Sequence, residues 1–313
     1  MLDAFGREVS YLRVSLTQRC NLNCLYCGSE PPDPQELSPD ATEKIVKAFV
    51  KVGINKVRLT GGEPLLRKDL ALIASRLSGI SGIRKLGITT NGVCLAEQAL
   101  LLKEAGIDTV NISLDTIDRE RYRRMTGVDA LGKVLAGIDA ALAAGFQHVR
   151  INSVLLRGEN EEEAQNLILL AKDRTIDVRF IELMPFSEQG QNSGRIVHAE
   201  ELLKRFPFLQ PVSENDRCGS VAKYYSAPGY LGRIGMITPV SDRFCSACNR
   251  VRLLANGSVR PCLGHEKTYD LMPYLNDEDK LIQIIKEAIL SKPEGHNFLC
   301  AYGNVHAMNK IGG

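Results

Sequence analysis

The chain has 313 residues, of which 24% are charged and 44% are hydrophobic, enough for a sizeable core and about two domains. Its 39 basic and 37 acidic residues give a formal net charge of +2, which excludes the basic excess of a dedicated nucleic-acid-binding protein. No apolar run is long enough for a transmembrane span and no signal peptide is visible, so we expect a cytoplasmic protein without a membrane partner. Nine cysteines, an odd number, favour metal or cluster ligation over a disulfide framework.

Strand and helix patterns alternate over roughly the first 185 residues. Strands are predicted at 11–16, 56–59, 85–89, 109–114, 148–155 and 178–183. Helices are predicted between them, at 39–52, 68–79, 94–105, 131–144 and 160–173. Strands separated by helices of about 10–15 residues indicate βαβ units and a parallel sheet. The predicted fold class is therefore α/β, with a partial (β/α)6 TIM-like barrel.

The pattern changes near residue 190, where short apolar runs stand among Gly, Ser and Pro. A helix is predicted at 199–206, strands near 221–226 and 233–237, and a last helix at 277–291. We therefore divide the chain into a barrel domain, 1–190, and a C-terminal α+β extension, 191–313.

One face of each predicted strand is polar, because side chains alternate between the two faces of a strand. The set comprises Arg13, Ser15, Thr17, Lys56, Arg58, Thr60, Thr89, Asn91, Asn111, Ser113, Asp115, Arg150, Asn152 and Arg179. In a barrel the apolar faces meet the helices, so these side chains should point inward and surround a polar ligand. The alternative is that they are solvated strand ends. The cations in the set favour an anionic ligand, for which phosphates are the natural candidate.

Three cysteines form a C-x3-C-x2-C group directly after the first strand, where barrel enzymes place their chemistry. They are Cys20, Cys24 and Cys27. Three thiolates can hold three irons of a [4Fe–4S] cluster and leave the fourth iron open. A zinc site would need a fourth protein ligand nearby. The remaining alternative is chance spacing.

A second group, C-x2-C-x13-C, comprises Cys245, Cys248 and Cys262. It lies in a segment, 243–265, that holds four arginines and no acidic residue. Two alternatives stay open at this point: a zinc site with His265 as the fourth ligand, or a second iron–sulfur cluster with an open iron.

The sequence around the first cysteine group resembles the radical S-adenosylmethionine superfamily. The resemblance lies in the cysteine spacing, in Tyr26 before the third cysteine and in Gly61-Gly62-Glu63-Pro64 after the second strand. The resemblance implies that the open iron binds S-adenosylmethionine and that an electron from the cluster releases a 5′-deoxyadenosyl radical. It implies that the glycines let the methionine amino group approach the backbone closely. Contacts to S-adenosylmethionine are accordingly expected from Tyr26, Gly62, Glu63, Thr89, Asn91 and Ser113.

The region around the second cysteine group narrows the resemblance to one family within that superfamily. Four segments resemble the GTP 3′,8-cyclases, the molybdenum-cofactor biosynthesis protein A family, and the resemblance covers nearly the whole chain. They are Phe244-Cys-x-x-Cys-Asn-Arg-x-Arg-Leu, the run from Arg179 to Pro185, Lys292-Pro293 and the final Gly312-Gly313. The resemblance implies a lyase that converts GTP to 3′,8-cyclo-7,8-dihydro-GTP, the first step of molybdopterin synthesis. The radical removes the ribose C3′ hydrogen, and the resulting carbon radical attacks guanine C8.

The same resemblance implies two [4Fe–4S] clusters, the second of which orients the guanine base. Catalytic roles fall to Arg250, Arg252, Gly312 and Gly313, the glycines being part of a tail that reaches the active site in this family. Substrate contacts fall to Arg13, Lys56, Arg58, Arg150, Arg179, Met184, Arg250 and Arg252. Arg150 stands where a lysine is expected, which keeps the charge and changes the donor geometry. For the Gly-Gly end, disorder is the alternative.

The expected partners are GTP, a reductant protein of flavodoxin or ferredoxin type, a downstream cyclic pyranopterin monophosphate synthase and a second copy of the chain in a homodimer. Gln18 and Gly28-Ser29 depart from the family pattern, and Cys94, Cys218 and Cys300 are expected to be small buried hydrophobes. Two other function classes stay open. One is a different radical S-adenosylmethionine enzyme, such as a peptide-modifying one, and the other is an electron carrier or zinc-binding protein.

Overall fold

The computed structural model describes residues 1–28, 30–33, 35–212, 221–296, 298 and 307–312. Four residues singled out above lie outside this part of the chain, namely Ser29, Cys218, Cys300 and Gly313.

Strands and helices alternate in the described residues much as the sequence predicts. The strands are β1 (Tyr11–Ser15), β2 (Lys56–Thr60), β3 (Lys85–Thr90), β4 (Thr109–Ser113), β5 (His148–Val154), β6 (Ile176–Ile181), β7 (Gln210–Pro211), β8 (Lys223–Ser226), β9 (Ile234–Ile237), β10 (Arg250–Leu253), β11 (Ser258–Arg260) and β12 (Tyr269–Asp270). The helices are α1 (Pro39–Lys51), α2 (Leu70–Ser78), α3 (Leu95–Glu104), α4 (Arg119–Thr126), α5 (Leu131–Ala143), α6 (Ala164–Leu169), α7 (Glu188–Gln191), α8 (Ala199–Arg205), α9 (Glu278–Leu290) and α10 (Met308–Ile311).

The strands form one sheet in the order β12-β11-β10-β1-β2-β3-β4-β5-β6-β9-β8-β7. Neighbours from β10 through β9 run parallel, and the strands outside them pair antiparallel. The predicted partial barrel is confirmed, with all six expected strands in chain order at its centre. The C-terminal part contributes one further parallel strand on each side. The division at residue 190 stays a prediction, because strands from both sides of it join the same sheet.

Local sequence explains how the first βα unit closes. The side chain of Ser38 accepts a hydrogen bond from the Ala41 backbone N–H, and Pro39 occupies the first helical turn of α1. Ile45 and Phe49, four residues apart on one face of that helix, are fully buried in the core. Gly53 ends the helix with a φ of 103°, a backbone conformation that glycine adopts most readily. The crossover therefore packs its helix on the outer face of the sheet and leaves the inner face open.

The fold differs from the sequence prediction in several elements: β7, β10, β11, β12, α7 and α10 are not predicted, and two helical regions differ as follows. The helix expected at 160–173 is a 3₁₀ turn followed by the short α6, and α4 is not predicted at all. The cap of α4 is visible, since the Asp118 side chain accepts from Arg121 N and Gly127 follows with a φ of 76°. Its charged sequence, however, lacks the apolar period that predicts a helix. In the described part of the chain, no helix is both long and apolar enough to span a bilayer.

Candidate functional site

The two cysteine groups lie at opposite ends of the parallel strands. The first follows the carboxyl end of β1, whereas Cys248 precedes β10, where Arg250 is level with Tyr11 at the start of β1. Because β11 runs antiparallel to β10, Cys262 returns to that same end. A five-residue strand is about 17 Å long, so the groups face each other across roughly that length. All six cysteines line a single cavity of about 720 Å³.

The inward polar face predicted from strand alternation is present. Of the predicted site residues, those that line the cavity are Arg13, Tyr26, Lys56, Arg58, Gly62, Thr89, Asn91, Ser113, Arg150, Arg179, Met184, Arg250 and Arg252. Glu63 and Gly312 are described but do not line it. Ser15, Thr17 and Asp115, also expected to point inward, are buried away from the cavity. The solvated-strand-end alternative is therefore wrong for the set as a whole.

Three arginines lie side by side on neighbouring strands. Arg252 on β10, Arg13 on β1 and Arg58 on β2 share one register, so their Cα atoms form a row across the sheet. Adjacent strands are about 4.8 Å apart, so the three positive side chains start from neighbouring backbone positions, and like charges opposite one another on a sheet repel. Desolvation, with repulsion from Arg13 and Arg250, holds the pKa of Arg252 well below its ordinary value. We call these three residues the arginine row; an anion in the cavity would relieve its repulsion.

Arg58 is fixed within the wall by its own hydrogen bonds. Its Nε donates to the Tyr11 hydroxyl at 2.7 Å, Nη1 to the Ile88 carbonyl at 2.8 Å and Nη2 to Thr109 Oγ1 at 3.0 Å. Gly87 makes room for it, since a Cβ there would lie 2.8 Å from Arg58 Nη2. Arg58 therefore contributes mainly its charge to the cavity, because several of its donors are already used.

Tyr11 is a cavity residue that the sequence analysis missed. Its ring lies 4.6 Å from Lys56 Nζ, and Arg250 stands 5.7 Å from the ring centre. Burial would raise the pKa of Tyr11, but the charges of Arg58, Arg13, Arg250 and Lys56 lower it to about 7. The missing signal was the register of β1 with β10, which the sequence alone does not supply.

The far wall of the cavity carries two further cations with side-chain partners. Arg179 donates twice to Asn152 Oδ1, at 2.9 and 2.6 Å. Arg150 Nε lies 3.5 Å from Asp177, which also forms a two-pronged pair with Arg233. The sequence analysis did not single out Asp177 or Arg233. Arg150 is therefore partly neutralised before any ligand binds.

The Gly-Gly pair after β2 packs against the backbone that leads into the first cysteine group. Gly62 N donates to Thr17 O at 2.7 Å, and a Cβ on Gly62 would overlap Arg19 O and stand 2.7 Å from Gln18 O. The expectation was that the glycines leave room for a ligand. Both do border the cavity, but the space that a side chain would need is filled by residues 17–19. The glycines therefore set the position of the cysteine loop.

Glu63 acts from behind the cavity wall. Its Oε1 accepts from Thr90 Oγ1 at 2.7 Å and Leu65 N at 2.9 Å, and Oε2 accepts from Asn91 N at 2.6 Å. Burial raises the pKa of Glu63 to about 7, although these hydrogen bonds oppose the shift. The carboxyl group is fully enclosed, so the expectation that it touches a ligand is corrected: it holds the turn that carries Asn91.

Asn91 and Tyr26 then connect the wall to the first cysteine group. Asn91 Nδ2 donates to Asn21 Oδ1 at 2.7 Å and lies 3.9 Å from Cys20 Sγ. The Tyr26 hydroxyl donates to Asp115 Oδ2 at 2.6 Å, next to β4. Burial raises the pKa of Asp115 to about 6, against the effect of that hydrogen bond. The loop is thus tied to β3 and to the end of β4.

The second cysteine group is held by a buried lysine. Lys292 Nζ donates to Arg250 O at 2.8 Å and Pro261 O at 3.0 Å. Burial raises the pKa of Cys248, but the Lys292 charge and an N–H of Arg250 more than offset it, so the pKa lies below its ordinary value. The Nε2 of His265 lies 3.1 Å from the carbonyl oxygen of Gly295. In the described residues, no three His, Cys, Asp or Glu side chains converge closely enough for a single metal ion.

The C-terminal residues 307–312 reach the cavity from the side of the first cysteine group. Met308 N donates to Cys27 O at 3.0 Å, and Arg252 Nη1 donates to the carbonyls of Ile311 and Gly312. Gly312 has a φ of 69°, and a Cβ there would lie 2.8 Å from Ser15 Cβ. Conformation and space therefore both require glycine at this position.

The packing of Gly62 generates a first prediction. Gly62→Ala should destabilise the chain by about 2 kcal/mol or more, because the new methyl group meets backbone that cannot move independently. Gly132→Ala is the matched control, since a Cβ at that exposed position of α5 meets nothing within 4 Å. The control should gain about 0.5–1 kcal/mol. Denaturant unfolding measures both, and an unchanged midpoint for Gly62→Ala would contradict the packing argument.

The buried carboxyl group generates a second prediction. Between about pH 4.5 and 7 the unfolded chain ionises Glu63 while the folded chain keeps it protonated, so its contribution to stability falls as pH rises. Glu63→Gln should cost stability overall, because its amide meets Asn91 N–H. It should also remove this pH-dependent loss, worth up to about 3 kcal/mol. Denaturant unfolding at pH 4.5 and 7.5 tests it, with the exposed Glu97→Gln as control; parallel pH profiles for wild type and Glu63→Gln would refute it.

Comparison with known proteins identifies the family. Residues 14–171 match the Radical SAM superfamily, and residues 176–298 match Molybdenum Cofactor Synthesis C. The GTP 3′,8-cyclase of Alkaliphilus oremlandii is 43% identical over 306 residues, covering 96% of this chain and 95% of the relative. Molybdenum cofactor biosynthesis protein 1 of Mus musculus is 40% identical over 310 residues, covering 95% of this chain and 48% of the mouse protein.

Solved structures agree on the architecture. Streptococcus suis SuiB bound to S-adenosylmethionine superposes with a TM-score of 0.61 at 16% identity, covering 93% of this chain and 73% of that one. At this identity the likeness shows the fold alone. The sequence relatives carry the assignment further, since they match both parts of the chain at about twice that identity or more. The chain therefore belongs to the GTP 3′,8-cyclase family of radical S-adenosylmethionine enzymes.

Proposed function

We propose that this enzyme is a lyase that converts GTP to 3′,8-cyclo-7,8-dihydro-GTP, the first step of molybdenum cofactor biosynthesis. The observation that carries the proposal is the placement of two three-cysteine groups at opposite ends of one cavity, with the arginine row between them. The names of relatives that match nearly the whole chain support it. We propose that the barrel domain, 1–190, and the C-terminal extension, 191–313, each provide one of the two cysteine groups.

The family implies S-adenosylmethionine and one [4Fe–4S] cluster, and the residues of the first group fit both. Three cysteines supply thiolates for three irons and leave one iron for another ligand. Thr89 Oγ1 and Asn111 Oδ1 are buried on the cavity wall without a hydrogen-bond partner, so polar groups of a ligand can satisfy them. We assign contacts to S-adenosylmethionine to five wall residues, Tyr26, Gly62, Thr89, Asn91 and Ser113.

For the second group we propose a second [4Fe–4S] cluster on Cys245, Cys248 and Cys262. A cluster takes one thiolate at each iron, so its ligands surround a larger volume than the ligands of one ion. The zinc alternative needs His265 as its fourth ligand. The His265 ring contacts Gly295 O through Nε2, a carbonyl contact that metal-ligating histidines also make, so this contact does not separate the two alternatives. We prefer the cluster because relatives named GTP 3′,8-cyclase match nearly the whole chain.

The charge of the cavity supports a nucleoside triphosphate as substrate. A triphosphate carries roughly four negative charges, which matches several converging cations. We assign triphosphate contacts to Lys56, Arg58, Arg150 and Arg179, of which Arg150 and Arg179 belong to the far wall of the cavity. Arg13, Met184, Arg250 and Arg252 are proposed to bind the remainder of the substrate. The cavity volume, about 720 Å³, is in the range that encloses a ligand of nucleotide size.

When bound, the first cluster and S-adenosylmethionine would supply a 5′-deoxyadenosyl radical, which in the proposed reaction takes the ribose C3′ hydrogen of GTP and becomes 5′-deoxyadenosine. C3′ then bonds to guanine C8, and one electron, ultimately from the reductant, with one proton completes the 7,8-dihydro product. The protein provides position and exclusion of water. The arginine row and the far-wall cations hold the polyanion between the two cysteine groups. Arg252 is itself fixed by the carbonyls of residues 311 and 312, so the tail sets the direction of its guanidinium. Gly313 is proposed to continue this tail.

Several expectations from the sequence remain predictions. They concern a flavodoxin- or ferredoxin-type reductant, a downstream cyclic pyranopterin monophosphate synthase, a homodimer and a cytoplasmic location.

Product formation tests the proposed function directly. Anaerobically reconstituted enzyme, given GTP, S-adenosylmethionine and a strong reductant, should form 5′-deoxyadenosine together with a cyclised nucleotide, both measured by mass spectrometry. GTP labelled with deuterium at C3′ should transfer the label to 5′-deoxyadenosine. 5′-Deoxyadenosine without loss of GTP would instead favour a radical S-adenosylmethionine enzyme with another substrate.

The tail contact generates a further prediction. Gly312→Ala should reduce cyclised product roughly 100-fold, because Arg252 loses the carbonyls that orient it. Gly229→Ala is the matched control: Gly229 has a φ of 78°, but a Cβ there meets nothing within 4 Å. It should lose stability through conformation alone and keep turnover. Full activity of Gly312→Ala would show that the docked tail has no part in the reaction.

A further inference from the structure

The buried lysine beside the second cysteine group has no catalytic or ligand-binding role in the proposed function. Lys292 follows α9 and is 3% exposed, although a lysine is rarely buried without a specific partner. Its Nζ is within hydrogen-bond distance of two backbone carbonyls, those of Arg250 and Pro261. Arg250 comes two residues after Cys248, and Pro261 directly precedes Cys262. One ammonium group therefore joins the backbones that carry two of the three cysteines.

The position of those carbonyls explains why an ammonium is needed. The β10–β11 ladder pairs Arg252 with Arg260 and goes no further toward the cysteines. Arg250 and Pro261 therefore lie past the last pair of the ladder, where their carbonyls need another donor. Lys292 supplies two N–H groups there and continues the connection across the open end of the hairpin.

The third cysteine is tied to the same segment by an arginine from the N-terminal part. The Arg7 guanidinium is held by Asp3 at 2.6 Å, and both side chains are buried. Arg7 Nη1 donates to Cys245 O at 2.9 Å and Glu294 O at 2.8 Å, and Nη2 donates to Pro293 O at 2.7 Å. The Cys245 backbone is therefore bound to the two residues that follow Lys292.

We propose that Lys292 is a positioning residue that holds the second cysteine group in one pocket before any cluster is bound. The inference rests on the proposed second cluster. Lys292 joins the Cys248 and Cys262 backbones, and its neighbours join that of Cys245 through Arg7. Removing the amine leaves two buried carbonyls unpaired and lets the hairpin end separate.

Iron counting tests the proposal apart from turnover. Wild type, Lys292→Met and Lys286→Met are reconstituted anaerobically, and iron and sulfide per chain are measured. Lys286 is an exposed lysine on α9 and serves as the control. We expect about eight irons for wild type and Lys286→Met, and about four for Lys292→Met, since a [4Fe–4S] cluster has four irons. Eight irons in Lys292→Met would overturn the role of Lys292 alone, whereas four in wild type would remove the second cluster and this inference with it.

A measurement on the unmodified chain covers the case in which Lys292→Met does not fold. Folded protein without metal is treated with an amine-acylating reagent, and the modification of each lysine is followed by peptide mass spectrometry. Lys292 should react at least about tenfold more slowly than Lys286, because its amine is enclosed and hydrogen-bonded before a cluster is present. Equal rates would mean that the pocket is not preorganised, which would overturn the proposal.

Discussion

Repulsion within the arginine row is the constraint on which the rest of the site depends. Arg252, Arg13 and Arg58 occupy one register on three adjacent strands, so sheet geometry alone brings their charges together. The surroundings offset this cost at particular points: Tyr11 accepts from Arg58, and two tail carbonyls accept from Arg252. A cavity built this way is stabilised by a polyanion, because the ligand supplies the charge that the wall lacks.

The arginine row also explains why a ligand in the cavity has a different cysteine group at each end. Parallel strands give the cavity two unlike ends, and the arginines stand between them rather than at either end. A ligand held by the row is therefore presented with one part toward Cys20, Cys24 and Cys27 and another toward the second group. The two cysteine-bearing loops are held mainly by hydrogen bonds to their backbone atoms. Their side chains that face the cavity therefore stay available for binding.

Much of this could be predicted from the sequence. The alternation of polar and apolar residues along each strand predicted that the cations lie on the inner face, and the alternation of strands and helices predicted the barrel. Both features can be predicted because they depend on local sequence pattern. The register between β1 and β10 could not be predicted, since those strands lie about 240 residues apart in the chain, and with it Tyr11 and the arginine row were missed. Glu63 was expected at the ligand because its motif lies at the ligand; only packing shows that its carboxyl turns back into the protein. The role of Lys292 likewise depends on where the β10–β11 ladder stops.

The backbone of residues 17–19 packs directly against Gly61-Gly62, a contact called the joint below. This contact determines which substitutions the chain can tolerate on each side of it. One side of the joint is made of carbonyl groups, which every residue type carries, so the identities of Gln18 and Arg19 do not enter into it. The other side admits no side chain at all. The departure of Gln18 from the family pattern therefore leaves this contact with the cysteine loop undisturbed. Substitutions at Gln18 and Arg19 therefore leave this contact itself unchanged, whereas any side chain at Gly62 overlaps the Arg19 carbonyl.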